Sequence, residues 1–300
     1  MKNEIILIFG YGSIGIKHYK HLKKLYPEKK IFIYSKRKIK IKNHIQVLKD
    51  ILSIKPKYVF ICTNTADHFS DLMFFEKNFK NINILVEKPL FDKIYNYKFR
   101  NNKIYVGYNL RFDPVIKFIK NKIKNKEMWT ANILCGSYLP SWRKSIKYYK
   151  TYSSKKNRGG GVVLDLSHEF DYVIWFFGKL SKMFSTKDKI SYLKIDSEDY
   201  CNFHGSAKKC KHININLDYF SRISHRTILL NGKNFFLKAD ILKKKVTYFE
   251  NNKKNTITFK DLNYSTSYLQ QIKNFISFNG KYLCTYSDGL RVLKIINQIK

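Results

Sequence analysis

The first residues suited to chemistry form a glycine turn, Gly10-Tyr11-Gly12-Ser13-Ile14-Gly15. In a dinucleotide-binding turn, the first glycine permits a sharp bend, the second admits the pyrophosphate, and the third lets the helix pack closely on the sheet. The helix N-terminus then presents N–H groups and a positive dipole to the phosphates. The turn follows an apolar run and opens a helical pattern, so we expect all six residues to bind a dinucleotide rather than to form an unrelated α/β turn.

The residues after the second apolar run bear on which dinucleotide binds. An NAD enzyme usually has an acidic residue there, which holds the ribose hydroxyls. This chain has Ser35-Lys36-Arg37 instead, and a hydroxyl group followed by two cations suits a 2′-phosphate. The sequence therefore predicts NADP or NAD as the cofactor, with NADP favoured, although both cations also fit the general lysine excess of the chain. Thr63, Asn64 and His68 follow the third apolar run and are expected to line the same cleft.

Two further clusters contain groups that could move protons. Glu87 and Lys88 follow an apolar run, at the edge where open α/β sheets bind ligands. After three consecutive glycines, a helix starting near Ser167 would place His168 and Asp171 on one face. Each cluster alone could be structural, namely a surface lysine before a turn and a histidine that pairs locally. Together with the glycine turn they indicate an enzyme.

Composition narrows the range of partners. The chain has 300 residues, of which 44% are apolar and 16% aromatic, and a formal net charge of +36. That length allows two domains with a sizeable core. The lysines are scattered rather than gathered in a dense block, and no nucleic-acid recognition motif accompanies them. We therefore expect a small-molecule substrate, for which the charge favours an anion, and no specific nucleic acid; a nucleic-acid binder is the alternative that rests on charge alone.

Cysteine content and hydropathy indicate the cellular compartment and whether the chain binds a metal ion. The five cysteines are an odd number without a CxxC pair, which suits free thiols in a reducing cytoplasm. Cys201, His204, Cys210 and His212 match no common zinc spacing, so we expect no metal. No apolar stretch reaches the roughly 18 residues of a membrane span, and the run at residues 5–9 leads into a glycine turn rather than a cleavage site. The sequence thus predicts a cytoplasmic protein without membrane insertion.

Hydrophobic patterning predicts a different architecture for each half of the chain. Residues 1–110 alternate strands with helices, which predicts a Rossmann domain with a doubly wound parallel sheet. Its expected strands are 5–9, 31–34, 58–62, 82–86 and 104–106, and its expected helices are 14–25, 45–54 and 68–79. Residues 111–300 are expected to form an α+β domain with a mostly antiparallel open sheet, whose C-terminal helix could pack back on the first domain.

The second half combines a few helices with many short strands. Helices are expected at 114–124, after the glycines up to 178, at 267–278 and at 287–299. Strands are expected at 129–135, 201–204, 213–220, 227–230, 235–237, 246–249 and 256–259. The pairs Asn231-Gly232 and Asn251-Asn252 are typical of hairpin turns.

The motifs GYGSIG, ICTNTADH, VEKP, GYNLRFDP and GGGVVLDLSHEFDYVIWFFG together resemble the Gfo/Idh/MocA oxidoreductases, named for glucose–fructose oxidoreductase and inositol dehydrogenase. They span residues 10–178. The resemblance implies a Rossmann domain and a second domain whose open sheet often mediates oligomer contacts, hence a homo-oligomer (dimer or tetramer). In that family the lysine of the EKP motif, here Lys88, lies beside the nicotinamide and the substrate hydroxyl. Asp165 and His168 complete the catalytic group.

One departure from the family pattern affects this assignment. Family members commonly have four steps from the Asp to the His, whereas Asp165 and His168 are three apart. The spacing to Asp171 and the following Trp175 are retained. We therefore interpret a one-residue deletion and keep His168 as the functional histidine, with Glu169 as the fallback. The DLSHE form is similar to a subgroup found in bacterial surface-sugar biosynthesis, which implies a sugar or nucleotide-sugar substrate.

The resemblance also implies a mechanism. A hydride passes between a substrate carbon and C4 of the nicotinamide while the hydroxyl proton leaves to His168; Lys88 hydrogen-bonds the same oxygen, and Asp165 orients the pair. Beyond these residues, Glu87 is expected at the cofactor, and the expected substrate contacts are Asn109, Arg111, Trp142, Arg143 and Tyr152. The alternative is a non-catalytic nucleotide-binding regulator or assembly partner with the same fold.

Overall fold

Short apolar runs form the parallel strands of the first sheet. The computed structural model describes residues 4–143, 146–260, 264–277 and 280–300. The strands of this sheet are β1 (Ile6–Phe9), β2 (Ile31–Tyr34), β3 (His44–Ile45), β4 (Tyr58–Ile61), β5 (Asn83–Val86), β6 (Lys103–Val106) and β15 (Cys284–Thr285). Their order is β15-β6-β5-β4-β1-β2-β3, with only β15 antiparallel to its neighbour. Every residue of β1, β4 and β5 is buried, as expected of parallel strands covered on both faces.

Three helices accompany the first sheet. They are α1 (Ser13–Leu25), α2 (His68–Asn78) and, from the later part of the chain, α6 (Tyr264–Ile276). The strand–helix alternation confirms the predicted Rossmann-type arrangement. The predicted helix at 45–54 is wrong: β3 is followed by a 3₁₀ turn, Leu48–Ser53. Val47, Leu48 and Leu52 are exposed, and within the 3₁₀ turn only Ile51 is buried.

The connection from β5 to β6 is a crossover without a helix. Residues 87–102 are all described and follow an irregular path. Phe69 of α2 stacks on Tyr95 with ring centres 3.9 Å apart, and Phe91 packs edge-on against both rings. Glu76 of α2 accepts hydrogen bonds from the backbone N–H groups of residues 100 and 101 at 2.6 and 2.9 Å. Aromatic and side-chain contacts therefore take the place of a covering helix.

The second sheet has eight strands and is mostly antiparallel, as predicted. They are β7 (Met128–Gly136), β8 (Leu180–Asp188), β9 (Tyr200–Ala207), β10 (Cys210–Asp218), β11 (His225–Gly232), β12 (Phe235–Asp240), β13 (Lys245–Glu250) and β14 (Lys253–Thr258). Their order is β14-β13-β12-β11-β7-β10-β9-β8, and β7 and β10 form the parallel pair. The associated helices are α3 (Pro114–Lys122), α4 (Val162–Asp165) and α5 (His168–Phe177).

Three local predictions in this half need correction. Asn231 and Gly232 are not a turn but end β11, and the turn to β12 uses Asn234 at φ +50°. Strand β8 was not predicted, because only its first residue is buried and its composition is polar. The helix after the triple glycine is broken into α4 and α5. By contrast, Asn251 and Asn252 form the predicted turn, with φ of +53° and +57°.

The chain divides into two compact units. Unit 1 contains the residues up to Asn109 and Ser265–Leu290; unit 2 contains Leu110–Tyr264 and Arg291–Lys300. The boundary between the units falls within the last helix, α7 (Tyr286–Gln298): residues up to Leu290 belong to unit 1 and residues from Arg291 belong to unit 2. The predicted helix at 267–278 corresponds to α6, and Phe278 lies outside the described residues.

Candidate functional site

The glycine turn of unit 1 joins β1 to α1 and is shaped by steric contacts. Gly10 has φ +97°, and a Cβ there would lie 2.9 Å from the backbone of residues 62 and 63. A Cβ on Gly15 would lie 2.2 Å from the carbonyl oxygen of Gly10. A Cβ on Gly12 would meet nothing within 4 Å. The outer two glycines therefore satisfy packing within the protein, whereas Gly12 leaves open space beside the helix N-terminus, as a pyrophosphate requires.

A cleft of about 710 Å³ opens at the carboxyl ends of β1, β2 and β4, and this volume falls within the range of small-molecule sites. The predicted residues that line it are Gly10, Tyr11, Gly12, Ser35, Lys36, Arg37, Thr63 and Asn64. Arg37 donates a hydrogen bond from Nη2 to the carbonyl of Tyr11 at 3.1 Å, which ties the end of β2 to the glycine turn. The residues present thus fit a dinucleotide.

The cleft has a second wall that the sequence analysis did not name. Helix α2 and the turn before it contribute Asp67, Ser70, Asp71 and Phe74. Their spacing of three and four residues was a usable signal, since such positions share one helical face. Thr63 donates a hydrogen bond to Asp71 Oδ2 at 2.5 Å. Burial raises the pKa of Asp71 to about 7.

The turn after β5 is stabilised by a buried hydrogen-bonded pair, His18 and Glu87. His18 of α1 is fully buried, and its Nε2 lies 2.7 Å from Oε1 of Glu87, which is 7% exposed. Lys88 follows Glu87 and is half-buried, and its bond to Pro89 is cis. Glu87 and Lys88 are outside the lining of the 710 Å³ cleft but follow β5, the strand beside β4.

His68 occupies a different place from the one expected. It is 1% exposed and does not line the cleft. Its Nδ1 lies 3.0 Å from the carbonyl oxygen of Pro89 and 3.2 Å from that of Leu90, so it braces the turn that carries Lys88. Burial lowers the pKa of His68, so the ring is neutral at physiological pH and Nδ1–H donates.

In unit 2, several predicted substrate residues come together around Asp165, which is buried. Tyr219 donates a hydrogen bond to Asp165 Oδ2 at 2.6 Å, and Tyr152 hydrogen-bonds the same carboxylate. The ring of Trp142 packs edge-on against Tyr219 with centres 5.3 Å apart. The guanidinium of Arg143 lies 5.2 Å from the centre of the Tyr152 ring. We call these five residues the Asp165 group.

Tyr219 is the member of the Asp165 group that sequence reasoning missed. It directly follows β10, but nothing distinguishes it among 22 tyrosines. Burial raises the pKa of Tyr219 and of Tyr152, so both hydroxyls keep their protons and act as donors to Asp165. The triple glycine also has a steric role, since a Cβ on Gly160 would lie 2.2 Å from the carbonyl oxygen of Tyr152.

The first turn of α5 carries the predicted histidine and an ion pair. His168 is the first residue of α5 and is buried. One turn later, the Asp171 carboxylate accepts two hydrogen bonds from Arg111, one from Nη2 at 2.7 Å and one from Nε at 3.0 Å. Arg111 was predicted to contact substrate, but it is 3% exposed and held inside unit 2.

Two other predicted residues also point into the protein. Asn109, in unit 1, is fully buried and donates from Nδ2 to Ser267 Oγ at 2.7 Å. Glu169, the fallback catalytic residue, is fully buried in unit 2 and pairs with Nε of Arg226 at 2.8 Å. A buried charge pair of this kind is costly to break, by about 3–5 kcal/mol, which favours a structural role for Glu169.

The described residues contain no group of three or more His, Cys, Asp or Glu side chains placed to hold a metal ion. All five cysteines are free and buried. Among the helices described, none has the length and apolar character needed to cross a membrane.

No protein-family model matches the chain, and no curated protein matches it by sequence. Solved structures do match over nearly the whole chain. UDP-N-acetylglucosamine 3-dehydrogenase GnnA from Acidithiobacillus ferrooxidans is 14% identical with a TM-score of 0.79, covering 100% of this chain and 97% of that one. GenD2 from gentamicin A biosynthesis, solved in complex with NAD, is 15% identical with a TM-score of 0.78, covering 100% and 93%.

A third match is described as a super-repressor. The super-repressor mutant of Gal80p from Saccharomyces cerevisiae is 16% identical with a TM-score of 0.81, covering 99% of this chain and 95% of that one. Likeness at such low identity establishes the fold, and it confirms the two-part fold that the motifs predicted. Because a dehydrogenase and a super-repressor share this fold, function must be argued from the site.

The glycine contacts predict opposite effects for two substitutions. Gly15→Ala should lower the free energy of unfolding by about 1–3 kcal/mol, because its methyl group collides with the Gly10 carbonyl. Gly12→Ala should leave stability unchanged but weaken dinucleotide binding roughly tenfold or more, because its methyl group enters the open space. Urea denaturation and fluorescence titration with NADPH measure the two effects. Equal stability of the two variants would contradict the steric argument.

The Asp165 group predicts a cost for removing one hydroxyl. Tyr219→Phe should lower the free energy of unfolding by about 1–3 kcal/mol, because a buried carboxylate loses a donor. The matched control is Tyr192→Phe at a fully exposed tyrosine, which should change nothing. Chemical denaturation compares the variants, and an unchanged Tyr219→Phe would show that Asp165 does not depend on that hydrogen bond.

Proposed function

We propose that this chain is an NAD(P)-dependent oxidoreductase of the Gfo/Idh/MocA type, which moves a hydride between nicotinamide and a carbinol or carbonyl of a sugar or nucleotide-sugar. The observation that carries the proposal is the pairing of two features in unit 1. A cleft lined by the glycine turn opens at β1, β2 and β4, and Lys88 follows the next strand, β5, on a turn braced by His18, Glu87 and His68.

The cofactor proposed is NADP or NAD, with NADP favoured. Lys36 and Arg37 line the cleft after β2, where an NAD enzyme usually has a carboxylate. GenD2, with the same fold, was solved with NAD, which supports a nicotinamide dinucleotide. When bound, the nicotinamide supplies C4 as the donor or acceptor of the hydride.

The chain itself handles the proton. In the oxidative direction, the His168 imidazole takes the proton of the substrate hydroxyl, and the Lys88 ammonium donates a hydrogen bond to the same oxygen. Asp165, held by Tyr219 and Tyr152, orients these groups. Such positioned acid–base help contributes roughly 10²–10⁴ in rate.

The substrate proposed is a sugar or nucleotide-sugar, within bacterial surface polysaccharide or glycan biosynthesis. Trp142 and Tyr152 of the Asp165 group offer aromatic surfaces that suit the apolar face of a pyranose. Arg143 suits a phosphate through bidentate hydrogen bonds. GnnA, which has this fold, acts on UDP-N-acetylglucosamine, and that supports the nucleotide-sugar class.

A second candidate function is a nucleotide-binding regulator that does no chemistry. The Gal80p repressor has the same fold, so the fold itself permits such a role. The presence of Lys88, Asp165 and His168 favours the enzyme. NADPH binding combined with a turnover screen over nucleotide-sugars separates the two: a regulator binds without turnover.

We also propose a homo-oligomer in the cytoplasm. Phe236 and Phe249 are cross-strand partners on β12 and β13, and both are exposed. Asn231, which pairs with Phe236, and Thr130, which pairs with Asn231, continue that row across β11 and β7. This outward row is the surface proposed for self-association, and five free thiols suit a reducing compartment.

Lys88→Met is expected to reduce turnover at least 10²-fold while leaving the dissociation constant for NADPH nearly unchanged, because the lysine acts on the substrate oxygen. Lys98→Met removes an exposed charge from the same segment and serves as the control. Steady-state kinetics and NADPH fluorescence give the two readouts. Persistent turnover in Lys88→Met would refute the catalytic assignment.

A further inference from the structure

We infer that Asp71 is a specificity-determining residue of the unit 1 cleft, which selects against a 2′-phosphate whenever its carboxyl group is ionised. The inference rests on the proposed function, since it takes the cleft to bind the adenosine half of NADP or NAD. From the sequence, only Ser35-Lys36-Arg37 was expected to distinguish NADP from NAD. The inference adds a residue of α2 to that group.

The cleft places opposite charges on two walls. One wall follows β2 and carries Lys36 and Arg37; the other is formed by α2 and the turn before it, and carries Asp67 and Asp71. In the sheet, β1 lies between β2 and β4, so the glycine turn lies between the two walls. In Rossmann clefts the residues that end the second strand meet the ribose 2′ position. The 2′ group of a bound dinucleotide therefore lies beside the cations and within reach of the field from the acidic wall.

Asp71 and Lys36 act on each other across this cleft. Lys36 stabilises the ionised form of Asp71, which by reciprocity means that ionised Asp71 offsets the charge of Lys36. Of the two cations on this wall, Lys36 acts on the pKa of Asp71, so Lys36 is the cation most affected. An ionised Asp71 thus weakens attraction for a phosphate on the opposite wall and adds direct repulsion.

The charge of Asp71 changes within the physiological pH range. The pKa of Asp71 is raised to about 7, mainly by burial and to a smaller extent by the charge of Asp67. The hydrogen bond from Thr63 and the charge of Lys36 act in the opposite direction and are outweighed. These are the groups acting on Asp71 from α2, the turn after β4 and the end of β2. The carboxyl group is therefore neutral below about pH 7 and negative above it.

The sign of the expected effect follows from these charges. As the pH rises through 7, ionisation of Asp71 weakens binding of NADPH but not of NADH, which has a 2′-hydroxyl. The ratio Kd(NADPH)/Kd(NADH) should therefore rise with pH. The 2′-phosphate has its own second ionisation near about pH 6, which by itself would lower that ratio. A rise in the ratio consequently reports the protein's carboxyl group and not the ligand.

The inference is tested by measuring the binding of NADPH and of NADH to the whole chain by calorimetry. The ionic strength is kept constant, and the pH is varied between about pH 6 and about pH 8.5. In the wild type, the ratio should increase roughly three- to tenfold across this range. Asp71→Asn keeps an acceptor for Thr63 but cannot ionise, so its ratio should not rise and should remain low at high pH. Thr63→Val removes a donor that stabilises the charged form, so the rise should move to higher pH.

Asp67→Asn is the matched control, because it removes an exposed carboxyl group from the same wall. It should keep a rise of similar size, displaced to lower pH, because the charge of Asp67 raises the pKa of Asp71. A constant wild-type ratio, or a rise that persists in Asp71→Asn, would overturn the inference while leaving the dinucleotide site intact. If Asp71→Asn does not fold, an unmoved rise in Thr63→Val overturns it. Failure of the wild type to bind either dinucleotide at any pH would instead refute the proposed function, and the inference with it.

Discussion

Unit 1 depends on how closely α1 approaches the end of β1. The third glycine of the turn brings the helix so near that a methyl group on Gly15 would lie 2.2 Å from the Gly10 carbonyl oxygen. This approach fixes the direction of the helix N-terminus at the cleft. It also places His18, one turn further along α1, within 2.7 Å of Glu87 after β5. A single steric contact thus relates the glycine turn to the turn that carries Lys88.

Unit 2 is organised by polar groups that are buried with partners. Helix α5 carries Glu169 and Asp171 into the interior, where each is matched by an arginine. Such pairs contribute little net stability but strongly disfavour any packing that separates them. Asp165 is also buried, and it accepts hydrogen bonds from the hydroxyl groups of Tyr219 and Tyr152.

Features with strong local physics could be predicted from the sequence. The glycine turn, the buried strands and the hairpin turn at Asn251-Asn252 depend on backbone sterics and continuous apolar runs, which neighbouring residues determine. The residues that were missed depend on tertiary context. Predicting the cleft wall formed by α2 requires knowing which face of that helix is turned towards the end of β2. Predicting the role of Tyr219 requires knowing which side chains lie near the end of β10. His68 and Arg111 were placed in the wrong surroundings because their motifs show proximity to a site but not the direction of a side chain.

The crossover between β5 and β6 gives unit 1 an uneven rigidity. Most segments next to the cleft are secured by backbone hydrogen bonds of strands and helices, whereas residues 91–100 depend mainly on ring stacking and on the carboxylate of Glu76. Segments held by side chains open locally at lower free energy than segments within a ladder of backbone bonds. The turn that carries Lys88, braced by the His18–Glu87 pair and by His68, therefore leads from a rigid strand into a more compliant segment.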